Sequence, residues 1–305
     1  MLQSRPRIGR SFFRAHGLGN DYLVLGAASG PTLTPELARR ICDRHCGVGA
    51  DGIVVVVPDP DADARIRIFN ADGSEAERSG NGVRIAALFL HRSGGARGEW
   101  VALATGGDTV RVRVRATDRE GVWDALAEMG RASFPKGPPF VAPGAVGSGG
   151  EVAIAVPGGP GTSDSGATGS IRVTPVSVGN PHAVAFGNGW SDEEVERCGP
   201  LIERSEAFPQ GANVHFAEVV RGGGLLLRIW ERGVGMTASS GTSACAAAAA
   251  AVRAGLAPRG VIVVIMMGGV ASVEVAPDWS LRLEGPIVEI SEGKFAPGLL
   301  PAIRG

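Results

Sequence analysis

One pattern of strand, loop and helix occurs twice in the chain. IRIFNADGSEAERSGNGVRIAALFL, beginning at Ile66, matches LRIWERGVGMTASSGTSACAAAAA, beginning at Leu227, and Ser79-Gly80-Asn81-Gly82 falls on Ser240-Gly241-Thr242-Ser243. The repetition extends upstream. RSFFRAHGLGNDYLVL, TPELARRICDRHCG and DGIVVVVPD are followed, in the same order, by IRVTPVSVGNPHAVAFG, SDEEVERCGPLIERS and GANVHFAEVV. In each set a strand, a tight turn and a second strand precede a helix and another strand, with period-2 runs in the strands and Thr34 or Pro35 at a helix start. A chain of 305 residues is comfortable for two domains, so two like halves are expected. Their expected bounds are residues 1–135, joined by 289–305, and residues 136–288.

Between the halves, PKGPPFVAPGAVGSGG is rich in Pro and Gly and is expected to be a link. GGPGTSDSGATGSIR reads as a surface loop, and GVIVVIMMGGVASVEV as buried strands. WVALATGGDTVRVRVRATD reads as a hairpin and GVWDALAEMG as a further extended segment.

Charge and composition narrow the function. Lys and Arg number 30 against 31 Asp and Glu, for a net charge of −1. That balance implies neither a basic face for nucleic acid nor a polybasic membrane anchor, and a small-molecule ligand is the expected partner. Aromatics make up 5% of the chain, too few for a base-stacking surface. No apolar run approaches the length of about 20 residues that spans a bilayer. The basic N-terminal stretch lacks the apolar core of a signal peptide, so a cytoplasmic location is expected. Cys42 and Cys46 flank His45, but no second cluster follows to complete a metal site. Helix packing is the expectation for them, and no metal is expected.

The two helix mouths carry the chemistry. A serine there caps the helix by accepting from a free N–H group of the first turn. The same N–H groups and the helix dipole also suit a carboxylate or small anion. Two matched mouths favour the second use, because a lone cap has no reason to recur in register. Donors that stabilise negative charge on a carboxylate are what removal of an amino-acid α-proton requires. Groups at the two mouths could take a proton and return one, as in a cofactor-free racemase or epimerase.

In this order, HGLGNDY, DRHCGVGADG, FNADGSEAERSGNG, VGNPH, GANVHF and WERGVGMTASSGTSACAA resemble the diaminopimelate epimerase family, and the likeness runs from about residue 11 to LEGPIVEISEGKF. The resemblance implies an α/β (α+β) fold of two pseudo-symmetric domains, each a curved, mostly antiparallel sheet or barrel around a central helix, with the active site in the interdomain cleft. It implies a PLP-independent isomerase that uses no cofactor, acts on a small amino acid in lysine and peptidoglycan biosynthesis, and is often a homodimer. By matching motif, Asn20 is a substrate-contacting residue, and Asn70, Asn180, Asn213 and Arg232 bind the distal end of diaminopimelate. Amide groups and a guanidinium fork suit a second ammonium and carboxylate. Gly80 and Asn81, with Gly241 and Thr242, match the turns that hold the reacting carboxylate. His182 and Glu231 match partners of the reacting ammonium and catalytic pair.

The chain departs from that pattern at its centre. The resemblance places the acid and base cysteines at Ser79 and Ser240. A thiol at a helix N-terminus has a pKa of about 3.5–7.5, whereas a serine hydroxyl needs an adjacent base. Cys245 lies on another face of its helix and is no substitute. Gly52 stands where the family has Gln, which removes a polar contact. Three readings accommodate the serines: an engineered Cys→Ser form of an epimerase, a natural one-base isomerase or dehydratase that uses Ser, and a catalytically silent amino-acid-binding homologue.

Overall fold

The computed structural model describes residues 5–76, 79–106, 108–157 and 168–300. It divides into two compact units, Met1–Glu128 with Glu284–Gly305, and Met129–Leu283.

The first unit is built from β1 (Arg7–Ile8), β2 (Ser11–Gly17), β3 (Asn20–Thr32), α1 (Pro35–Cys42), β4 (Gly52–Val57), β5 (Ala64–Asn70), β6 (Glu75–Ala76), α2 (Gly80–Ser93), β7 (Trp100–Ala104) and β8 (Thr109–Ala116). Most of β9 (Val122–Arg131) and the second part of β18 (Ser280–Lys294) complete it. The second unit holds β10 (Val152–Pro157), β11 (Thr168–Ser177), β12 (Pro181–Phe186), α3 (Asp192–Glu203), β13 (Asn213–Val219), β14 (Leu225–Glu231), β15 (Gly235–Thr237), α4 (Gly241–Arg253), β16 (Gly260–Met266) and β17 (Gly269–Val275).

The pairing order repeats between units. In the first, β2–β3 is antiparallel, β3–β4 parallel, β4–β5 and β5–β6 antiparallel, β5–β7 parallel and β7–β8 antiparallel. In the second, β11–β12, β12–β13, β13–β14, β14–β15, β14–β16 and β16–β17 follow with the same sequence of orientations. Each unit wraps its strands around one helix. β2, β3, β4, β5, β7 and β8 all touch α2, and β11 to β14, β16 and β17 touch α4. A helix enclosed in this way has little solvent face, and Ala244 to Ala251 in α4 are all fully buried.

Local signals set the elements. Thr34 caps α1 by accepting from the Leu37 N–H, with Pro35 in its first turn. Ser191 and Glu194 form a reciprocal capping box on α3. Strand alternation then places one face inward, as with Ala64, Ile66 and Ile68 in β5.

Two expectations need correction. The Pro/Gly-rich stretch at 135–150 is part of the second unit rather than a link, because its Val141 is fully buried in that unit's core and Phe140 and Val146 pack against the same cluster. The strands of GVIVVIMMGGVASVEV are buried on one face only. Ile262, Val264, Ala271 and Val273 point inward, while Val261 is 70% exposed and Val270 50%. A run of apolar residues hides that period-2 division. Of the expected surface loop, residues 158–167 lie outside the described residues, and the rest begins β11. Among the described residues, no helix is long and apolar enough to cross a membrane.

Candidate functional site

Ser79 and Ser240 hold equivalent backbone positions. Each occupies the position just before the first turn of a central helix, with φ −142° and ψ 120° at Ser79 and φ −149° and ψ 126° at Ser240. Their side chains differ in use. Ser79 Oγ accepts from the Gly82 N–H at 3.0 Å, which is an ordinary cap. Ser240 makes no such bond, and its Oγ lies 3.3 Å from Thr242 Oγ1. The first helical residues, Gly80 and Asn81 in α2 and Gly241 and Thr242 in α4, are buried. Their N–H groups have no acceptor within the helix, so each mouth presents donors and the positive end of a dipole.

In the first unit, the α2 mouth is tied to the HGLGND turn. Asn81 Nδ2 donates to Asn20 Oδ1 at 3.1 Å, and Asn20 Nδ2 donates to Asp51 Oδ2 at 3.1 Å. Asp51 also pairs with Arg44 at 2.7 Å, and Arg44 reaches Asp21 at 2.8 Å. Burial alone would raise the Asp21 carboxyl, but hydrogen bonds from Arg44 and Arg14 outweigh it and hold the group below its ordinary value. Asn70 ends β5 opposite Gly52 in the β4–β5 register. Its Nδ2 donates to Ser74 Oγ at 3.0 Å across the turn into β6. Gly73 gives that turn its left-handed residue at φ 82°.

In the second unit, four candidates form one network. Asn213 Nδ2 donates to the Pro181 carbonyl at 3.1 Å, and its Oδ1 accepts from the Arg232 N–H at 3.0 Å. Asn213 stands beside His182 in the parallel β12–β13 register. His182 is 1% exposed, with Nε2 2.8 Å from Asn180 Oδ1 and Nδ1 2.8 Å from His215 Nε2. Burial, followed by the neighbouring His215 and Arg232, pushes its pKa well below the ordinary histidine value. His182 is therefore a neutral imidazole with both nitrogens engaged. Glu231 ends β14 half-buried, and the Arg232 guanidinium donates to the Gln210 carbonyl at 2.9 Å.

The family model for diaminopimelate epimerase matches residues 12–135 and 174–288. The diaminopimelate epimerase of Desulforudis audaxviator is 39% identical over 93% of this chain and 98% of its own length. This chain belongs to the diaminopimelate epimerase family. The diaminopimelate epimerase of Synechococcus elongatus is 36% identical over 93% of this chain and 97% of its own length. Among solved structures, a hydroxyproline epimerase from Agrobacterium vitis aligns with a TM-score of 0.67 at 16% identity, covering 97% of this chain and 94% of that one. A predicted epimerase from Pseudomonas aeruginosa aligns with a TM-score of 0.65 at 20% identity, covering 94% and 99%. Those two likenesses bear on the fold alone.

At Gly52, where the resemblance implies Gln, a side chain would be crowded. A Cβ there would lie 2.6 Å from the Phe69 carbonyl oxygen and 2.6 Å from Tyr22 Cε1. The buried Tyr22 ring has taken the space a longer side chain would need. Cys245, fully buried in α4, offers no thiol to a ligand, and Cys42 packs in the first unit's core with its thiol pushed up to about 12, mainly by burial. His16 accepts from the Gly19 N–H at 3.1 Å and shapes its turn, and the His45 N–H donates to Asp43.

Sequence reasoning missed three supporting residues. Asp51 holds Asn20, and His215 holds His182. Glu203, 8% exposed on α3, accepts from Trp230 Nε1 at 2.7 Å and from the Gly233 N–H at 3.1 Å, clamping the turn that carries Glu231 and Arg232. Asp51 sat in a quoted motif, yet nothing in its spacing reveals the amide it meets. Glu203 and His215 come from elements whose pattern marks only helix and strand.

Proposed function

We propose that this chain is a diaminopimelate epimerase, an isomerase that interconverts LL- and meso-2,6-diaminopimelate by direct removal and return of the α-proton. The observation that carries the reading is the family relationship, with 39% identity to a diaminopimelate epimerase over 93% of the chain. Loss of the α-proton moves negative charge onto the substrate carboxylate. Fixed N–H donors at a helix N-terminus stabilise that charge without reorganising. Gly80 and Asn81 supply such donors in one unit, and Gly241 and Thr242 in the other.

In this proposal Ser79 and Ser240 take the acid and base positions. Asn70, Asn180, Asn213 and Arg232 recognise the distal ammonium and carboxylate, and Glu231 serves the reacting end. His182 has both nitrogens occupied, so we assign it the task of orienting Asn180 rather than carrying a proton. The reaction would serve lysine and peptidoglycan biosynthesis in the cytoplasm. The assembly is a homodimer, for which the exposed apolar side chains Val261, Val263, Met267 and Val270 offer a self-associating face.

The test is incubation with LL-diaminopimelate in deuterated water, followed by NMR of the α-position and chiral separation. Slow exchange with inversion is expected, because an alcohol is a far weaker acid than a thiol. Exchange without inversion would indicate a one-base enzyme, and binding without exchange a silent pocket. Ser79→Cys combined with Ser240→Cys should raise turnover by about 10²–10⁴. If the doubly substituted protein shows no epimerisation, the diaminopimelate assignment fails.

A further inference from the structure

Arg84, in the second turn of α2, is fully buried. Its Nη2 donates to Asn81 Oδ1 at 2.5 Å and its Nε to the Gly80 carbonyl at 3.2 Å. A polar chain therefore runs from Arg84 through Asn81 and Asn20 to Asp51, with each link a hydrogen bond. Its two ends are chemically opposite. A guanidinium only donates, and an ionised carboxylate only accepts. Two amides in series between such ends have one consistent direction, with each oxygen toward Arg84 and each nitrogen toward Asp51. Flipping Asn81 alone would set its NH₂ against the guanidinium and its oxygen against the Asn20 oxygen. Flipping both would set the Asn20 oxygen against the carboxylate.

The surrounding backbone is fitted to this chain. A Cβ on Gly17 would lie 2.7 Å from Asn81 Oδ1 and 3.0 Å from Arg84 Nη2, so any other residue there would displace the pair. At the far end, Asp51 Oδ2 also accepts the Asp21 N–H at 3.0 Å, which anchors that oxygen to the turn beside Asn20.

We propose that Arg84 and Asp51 are positioning residues that lock the amide direction of Asn81 and Asn20, and so fix which Nδ2 hydrogen Asn20 leaves for a ligand. The lock leaves Asn20 one Nδ2 hydrogen beyond the one given to Asp51. That hydrogen adds a donor for a carboxylate to those of the α2 mouth. The role in binding rests on the reading of Asn20 and Asn81 as ligand-contacting groups, whereas the lock itself does not.

The experiment uses the full ¹⁵N-labelled chain and follows hydrogen exchange of the Asn20 and Asn81 side-chain amides by NMR. Asp51→Ala removes the acceptor end. Arg44→Gln removes the ion pair to Asp51 but keeps its carboxylate. Exchange at both asparagines should rise about tenfold in Asp51→Ala and stay unchanged in Arg44→Gln. Arg84→Met should loosen Asn81 in the same way, and Arg84→Lys, which keeps a donor-only cation, should restore it. Should the buried Arg84→Met protein fail to fold, the half-buried Asp51 end still decides. For turnover of diaminopimelate, Asp51→Ala should raise KM and lower kcat/KM about tenfold, because the lost donor serves the carboxylate both before and during proton removal. Equal exchange in the unaltered and Asp51→Ala chains, or equal loosening by Arg44→Gln, overturns the lock. Loosened exchange in Asp51→Ala with unchanged KM keeps the lock and overturns its part in binding. An unaltered chain without turnover counts against the epimerase reading, and the exchange measurement still decides the lock.

Discussion

Between β12 and β13, the rings of His182 and His215 lie 5.0 Å apart, both sealed from water. Burial disfavours their charged forms, lowering His182 well below its ordinary value and His215 to about 3. The unfolded chain takes up protons at these rings near pH 6.5, where the native chain does not. Over that window the unfolded state binds more protons, so stability is complete above about pH 7 and declines as the pH falls from about 6.5 toward 3. For His215 alone the loss between pH 7 and pH 5 is expected to be about 2 kcal/mol. Urea unfolding followed by circular dichroism at the two pH values checks it, and His215→Gln should flatten the difference. His182 was legible in the sequence because VGNPH places it at a turn. Its partner was not, since an isolated histidine in GANVHF shows nothing of the parallel neighbour that the β12–β13 register supplies. The serines were legible as equivalent positions. Their unequal use, with Ser79 capping and Ser240 not, depends on hydroxyl geometry that a repeated letter does not carry.

Among the elements, α4 shows how a sequence can reveal an element but hide its surroundings. Its alanines have high helix propensity, and the Ser-Gly entry marks its start. Yet alanine on every face has no 3.6-residue period, so the pattern gave no direction to the core. The strands that touch it supply the reason: a helix enclosed by β11 to β14, β16 and β17 has no solvent face, and small side chains let the strands close in. Ala248→Leu, at a fully buried position, is therefore expected to destabilise the protein by about 1–3 kcal/mol through overpacking. Leu201→Met, on the exposed side of α3, should stay within about 0.5 kcal/mol of the unaltered chain. Denaturant midpoints for the two variants, measured side by side, check the contrast. The β16–β17 hairpin makes the converse point. Its apolar run identified two strands but not which alternate residues face out, because valine and methionine occupy both faces.

At the scale of the molecule, the duplicated order of motifs was the most legible feature, and the pairing pattern repeats as the motifs do. The return of residues 289–305 to the first half was expected, but the strand they would pair with was not. β2 pairs with the last part of β18, from Val288↔His16 to Lys294↔Ser11. Phe295 is buried in the first unit's core, stacked on Phe12 at 5.2 Å. These contacts join residues almost a whole chain apart, and local periodicity cannot encode them. A chain ended after Leu283 should lose amide protection throughout β2 while the strands around α4 keep theirs, as hydrogen exchange read by mass spectrometry would register. The second unit, by contrast, is one continuous stretch, Met129–Leu283. During synthesis β2 leaves the ribosome long before its β18 neighbour, which follows the whole of the second unit. The half encoded in one piece can thus finish folding sooner, and the other half waits, exposed to chaperones, until β18 follows.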